Sequence, residues 1–113
     1  MSSIKTNQAR KLLRCLEEFR RLDPEMPVQQ VVTFLTVALN PGVSLVQIAA
    51  MTDQAESSAS RNVAVFSKLN RHKEKGFALI EGVPDPMELR RKVHTLTPRG
   101  VQLYEKVTHM IGG

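Results

Sequence analysis

A single cysteine, Cys15, stands in the whole chain, which removes intrachain disulfides and leaves no cysteine cluster for zinc or redox chemistry. It reads as a small buried hydrophobe on the first helix. The three histidines, His72, His94 and His109, lie far apart with no metal-ligand spacing, so each reads as a surface or groove-facing residue and no metal and no cofactor are expected. Apolar runs fall far short of the roughly 18 residues a membrane span needs, and the N-terminal MSSIKTNQARK lacks the apolar centre of a secretory signal. A cytoplasmic protein is expected. Catalytic signatures are missing as well: no glycine-rich loop follows a strand, no nucleophile sits in a recognisable motif, and carboxylates and histidines do not gather at catalytic spacing. An enzyme is therefore the poorest reading.

What remains is a 113-residue chain, 42% hydrophobic and 24% charged, with no repeats or low-complexity tracts. That length holds one ordinary core, hence one domain over 1–113. The net charge is +5 with a pI near 9.8, which suits a polyanionic partner. The bases are concentrated. Between residues 54 and 75, Arg61, Lys68, Arg71, Lys73 and Lys75 face only Glu56 and Glu74, and between 89 and 100 Arg90, Arg91, Lys92 and Arg99 face no acid.

Periodicity predicts the elements. Residues 5–22 repeat apolar positions (Ala9, Leu12, Leu13, Leu16, Phe19) every three or four residues, an amphipathic helix stopped by Asp23-Pro24. Residues 28–39 are apolar on more than one face and predict a central helix ended by Asn40-Pro41-Gly42. Ser44 caps a short helix, LVQIAAM, with Leu45, Ile48 and Ala49 inward. Asp53 and Glu56 form a capping-box pattern opening a helix over 54–70, which would bury Ala55, Ala59, Asn62 or Val63, Phe66 and Leu69. Strands are expected over 77–83 and 90–97, with a turn at 84–88. A closing helix over 98–111 begins with proline in its first turn and aligns Val101, Tyr104, Val107 and Ile111.

The fourth helix carries the functional signal. With Ala59, Phe66 and Leu69 inward, Ser57, Arg61, Ala64 and Lys68 form the opposite stripe, flanked by Ser58 and Ser60. Small residues let the backbone approach a surface closely, and a DNA major groove is wide enough to admit such a helix.

The order helix, helix, short helix, groove-ready helix, hairpin, helix is that of a winged helix-turn-helix domain: mainly α, with a small two-stranded wing and a core over about 28–97. At IAAMTDQAESSASRNVAVFSKLNRHKEKGFALIE and RRKVHTLTPRGVQLYEKV the sequence resembles the MarR family of bacterial transcriptional regulators. Ser60-Arg61 is similar to the family's Ser/Thr-Arg pair in the recognition helix. Gly76-Phe77 resembles the glycine-hydrophobe start of its wing, and Leu96-Thr97-Pro98-Arg99-Gly100 its Leu-Thr-x-x-Gly close. The family's wing usually has aspartate directly followed by two arginines, whereas here Pro86-Met87-Glu88-Leu89 separates Asp85 from Arg90-Arg91.

The resemblance implies a sequence-specific double-stranded DNA-binding regulator, a repressor or autoregulator. Ser57, Ser58, Ser60 and Arg61 would face the major groove, and Lys68, Arg71, Lys73, Arg90, Arg91 and Lys92 the phosphates. A chain this short cannot hide both terminal helices. Leu12, Leu16, Phe19, Tyr104, Val107 and Ile111 are therefore expected to form a homodimer seam, which predicts a palindromic operator. Family members are usually longer, and the shorter closing helix speaks against a small-molecule effector pocket. The rival reading of a different class is a winged-helix protein-interaction module without direct DNA binding, since fold alone does not decide function.

Overall fold

The computed structural model describes residues 3–68 and 74–112. Among them the elements run α1 (Ser3–Leu22), α2 (Val28–Leu39), β1 (Val43–Ser44), α3 (Leu45–Met51), α4 (Glu56–Val65), β2 (Ile80–Pro84), β3 (Lys92–Leu96) and α5 (Pro98–Gly112). The hairpin is one strand richer than the sequence predicted. The two-residue β1 joins it to make an antiparallel sheet of order β1-β3-β2, with Val43 opposite His94 and Gly82 on His94's other side. So short a strand carries no alternation to read, and it exists because Gly42, at a φ of 87°, turns the chain so that its N–H reaches the His94 carbonyl at 2.8 Å.

All four phenylalanines form one aromatic chain through the core. Phe19 meets Phe34 edge-on at 5.7 Å, Phe34 lies 5.6 Å from Phe66, and Phe66 lies 6.1 Å from Phe77. This links α1, α2, the end of α4 and the approach to the wing. Val37, Ile48, Ala59, Val63 and Ile80 fill the space around it. Cys15 is buried as expected, its thiol donating to the Val107 carbonyl at 3.4 Å, and burial, with the nearby Glu18 charge, pushes that thiol's pKa up. Glu18 is itself buried between α1 and α5, paired to Lys106 at 3.1 Å and Arg21 at 3.3 Å.

The turn between α3 and α4 departs from the sequence expectation. Ser44 does cap α3, and its capping box is complete with Gln47. The second box, Asp53 with Glu56, does not form. Asp53 adopts a left-handed φ of 53°, which ends the α3 turn, and Ala55 becomes the N-cap residue of α4 without a side-chain hydrogen bond. Ala55 is consequently exposed rather than buried. Gln54 is not helical either; its amide donates to Thr52 at 2.7 Å and Thr33 at 3.2 Å and accepts from Asn62 at 2.6 Å. One side chain thereby ties α2, the turn and α4 together.

At its other end α4 stops at Val65, short of the expected 70. The cause is the returning chain, whose backbone captures the last carbonyls: Phe77 N–H reaches Val65 O, Ala78 reaches Ser67 O, and both Leu79 and Ile80 reach Phe66 O. The expected strand over 77–83 is shortened for the same reason. Gly76 lies so close to the Ser67 carbonyl that a Cβ there would collide with it. Leu69 and Asn70 lie outside the described residues.

Candidate nucleic-acid interface

Thr97 sets the angle at which the hairpin meets the body. Its hydroxyl donates to the Ala78 carbonyl at 2.7 Å and accepts from the Gly100 N–H at 3.1 Å, which joins the wing's base to the first turn of α5. A side chain at Gly100 would run into the Leu79 carbonyl and Leu96. These contacts are the physical content of the Leu-Thr-Pro-Arg-Gly segment.

With the wing held there, the polar face of α4 and the segment that follows it border two clefts. The first, about 560 Å³, lies between α4 and the wing and is lined by Glu56, Ser60, Val63 and Ala64 of the helix, by Ser67 just beyond it and by Glu88, Arg90, Arg91 and Lys92 from the hairpin. The second, about 770 Å³, collects Ser67, Lys68, Lys92, Thr97 and Arg99 around the wing's base. Ser57, Ser60, Arg61 and Ala64 share a smaller depression, about 370 Å³, on the outer side of the helix. Ser58 is turned partly inward, and its Oγ accepts from the Arg61 guanidinium at 3.3 Å. It orients the arginine rather than standing beside it.

The predicted basic residues separate into groups. Arg61, Lys68, Arg90 and Lys92 are exposed along these clefts. Arg91 is engaged: its Nη2 and Nε donate to one oxygen of Asp85 at 2.7 and 3.1 Å, although half of its side chain still meets solvent. Those bonds, with the Met87 N–H on the other oxygen, hold the Asp85 carboxyl below the usual carboxylate range. Arg71 and Lys73 lie outside the described residues. Arg99 was left out of the predicted contact set, yet it completes the second cleft beside Lys68 and Lys92. Its signal was its membership of the acid-free basic segment.

His94 departs from the surface or groove-facing position expected of it. It is buried at the centre of the sheet, bordering both clefts, with Nδ1 3.1 Å from the Val43 carbonyl oxygen. A carbonyl only accepts, so Nδ1 carries the hydrogen and Nε2 is the acceptor in the neutral ring. Burial lowers its pKa, and the Lys92 charge adds to the effect while the Val43 bond opposes it. Gly82 opposite makes the room, because a Cβ there would press on the imidazole.

The expected dimer seam divides too. Phe19 and Val107 are buried within this chain's own core, and Tyr104 is half-buried against it. Leu12, 58% exposed, Leu16, 43%, and Ile111, 58%, remain on the surface, with Ile4, Leu13 and Val101 also uncovered. Among the described residues no three His, Cys, Asp or Glu side chains gather as a metal site, and no helix is long and apolar enough to cross a membrane.

A capped helix-turn-helix with a three-stranded wing packed at its side defines a winged helix-turn-helix domain. No family model matches the sequence, and no curated protein matches it. Solved structures do. A MepR–DNA complex from S. aureus aligns with a TM-score of 0.69 at 21% identity, covering 96% of this chain and 79% of that one. The PcaV transcriptional regulator from Streptomyces coelicolor, in complex with its natural ligand, aligns at 0.63 and 18% identity over 92% of this chain and 70% of that one. A MarR family transcription regulator, SP03579, aligns at 0.64 and 21% identity over 94% and 61%. The chain has the winged-helix fold of MarR-type regulators.

Proposed function

We propose that this protein is a transcriptional regulator that binds double-stranded DNA, with α4 in the major groove and the wing against the neighbouring backbone. The observation that carries the reading is the single surface formed by the small, polar side of α4, with Arg61 projecting from it, and the exposed bases Lys68, Arg90, Lys92 and Arg99 of the adjoining clefts. Ser57, Ser60 and Ala64 are short enough to let the backbone approach base edges. Arg61, steadied by Ser58, is the side chain that reads, since a guanidinium can donate two parallel bonds to guanine, a contact worth about 1–3 kcal/mol of discrimination. The cleft bases position the duplex and make affinity fall with salt.

The functional unit is a homodimer joined through the exposed leucines of α1 and Ile111 of α5, with two recognition helices about 34 Å apart on a palindromic operator. Occupying a promoter in that way represses it. Fluorescence anisotropy of mixed-sequence duplex at two salt concentrations, with wild type beside Arg61→Ala, tests the reading. Binding that weakens steeply with salt and weakens further in the variant is expected. Absence of binding at low salt would instead favour a protein-interaction module.

A further inference from the structure

The loop that joins β2 to β3 is tightly built and yet carries apolar side chains into solvent. Asp85 closes it: one carboxylate oxygen accepts from the Met87 N–H at 2.9 Å, and the other accepts both Arg91 bonds. Backbone bonds from Asp85 N–H to Arg91 O at 2.7 Å, from Glu88 to Asp85 at 3.2 Å and from Arg91 to Glu88 at 2.9 Å complete the frame. Pro84 and Pro86 fix φ on either side of Asp85. On this frame stand Met87, 93% exposed, and Leu89, 79% exposed, the two most exposed large hydrophobic side chains among the described residues. They add nothing to the core. Their surroundings favour a polyanion: Arg90, Arg91 and Lys92 follow directly and outnumber the loop's acids, Glu88 and the Asp85 that Arg91 holds, and the three bases line, with Glu56 and Glu88, the cleft that Ser60 and Ala64 of α4 form from the other side.

A rigid apolar tip on a cationic stem, beside a helix shaped for the major groove, fits one occupant better than others. We propose that Met87 and Leu89 form a wedge that enters the minor groove and opens the stack between two base pairs while α4 lies in the adjacent major groove. The proposal rests on the DNA-binding reading. Base faces are apolar where base edges are not, so methionine and leucine find in a parted stack the burial that a phosphate or a groove edge denies them. The preformed loop brings both side chains to the duplex without first having to be ordered, and Arg90 and Lys92 hold the phosphates on either side of the opened step. Pyrimidine–purine steps such as TA and CA part most readily, so the wedge confers sequence preference at a position where no hydrogen bond reads a base.

The test uses the full chain with mixed-sequence duplexes carrying 2-aminopurine beside a TA or CA step, at low salt, with end-labelled copies for bending by energy transfer. Wild type is expected to raise 2-aminopurine fluorescence and bend the duplex by roughly 20–90°. The double variant Met87→Ser/Leu89→Ser, altered only at exposed positions, is expected to bind in anisotropy but to lose both signals, and Met87→Leu is expected to keep them. Binding by wild type without unstacking, or equal unstacking by the double variant, would overturn the wedge and leave the DNA-binding reading standing. No binding by wild type would overturn both. Equal binding and unchanged fluorescence, with the tip protected only by another protein, would assign these side chains to a protein partner instead.

Discussion

In α4 the apolar side chains Ala59 and Val63, followed by Phe66, point into the core and leave serines and an arginine outside, whereas in α1 only Cys15 and Phe19 of the apolar residues are buried and Leu12, Leu13 and Leu16 stand in solvent. Both helices meet the aromatic chain that runs from Phe19 to Phe77, α1 through Phe19 at one end and α4 through Phe66 near the other. The half built around α3, α4 and the sheet buries Ile48, Ala59, Val63, Phe66 and Ile80 in the chain's own core and leaves Val46, Met51, Val83, Met87 and Leu89 exposed on α3 and the wing. The half built from α1 and α5 leaves Leu12, Leu13, Leu16 and Ile111 uncovered, because a single helix pair can cover only the facing stripe of each partner. A polar outer face on α4 is thus combined with an uncovered apolar surface on α1 and α5, which the second copy of the proposed homodimer would cover.

The two halves meet at one aromatic residue. Phe34 is wholly buried and touches both Phe19 and Phe66, so Phe34→Ala is expected to cost about 3–5 kcal/mol. Urea denaturation followed by circular dichroism measures it, and both halves should melt together. A transition that stayed biphasic would show the halves to be independent.

A smaller and more selective effect is expected at the exposed end. Leu12→Glu with Leu16→Glu should convert a dimer to a monomer in analytical ultracentrifugation while leaving the helical spectrum intact, since each leucine contributes about 1.5–3 kcal/mol only when a partner covers it. Wild type that is monomeric at tens of micromolar would remove the dimer altogether.

The smallest effect belongs to His94, on the sheet side. Its folded pKa lies below the ordinary histidine value of 6.5, so the folded state binds fewer protons than the unfolded chain once pH drops. Stability is then full above 6.5 and declines as pH falls below it. Thermal melts from about pH 7.5 down to about pH 5.5 should show the decline in wild type, and His94→Leu should flatten it while His72 and His109 remain. An unchanged slope would place the proton elsewhere.

Much of this was legible in the residues. The bounds of α2 and α3, the Ser44 cap, the burial of Cys15 and the opening of α5 at Thr97-Pro98 all follow from local chemistry: apolar period, proline and hydroxyl-bearing caps act on their own few neighbours. The Ser-Arg pair and the small outer face of α4 were readable for the same reason. The structure departs from the local patterns where distant segments intervene. The capping box at Asp53 and Glu56 has the right letters, but Gln54 bonds to Thr33 on α2 and draws the turn into another path. The end of α4 is decided by Leu79 and Ile80 returning to the Phe66 carbonyl, and β1 by a sheet partner fifty residues away.

Composition and periodicity, as properties of neighbours along the chain, suffice to specify a small, basic, mainly helical domain with a hairpin and a helix suited to a groove. Packing settles which bases are held, as Arg91 is, which leucines the core takes and which it leaves, and that Met87 and Leu89 stand on a closed loop beside α4. Those outcomes depend on hydrogen bonds and burial between segments far apart in the chain, and no local pattern carries them.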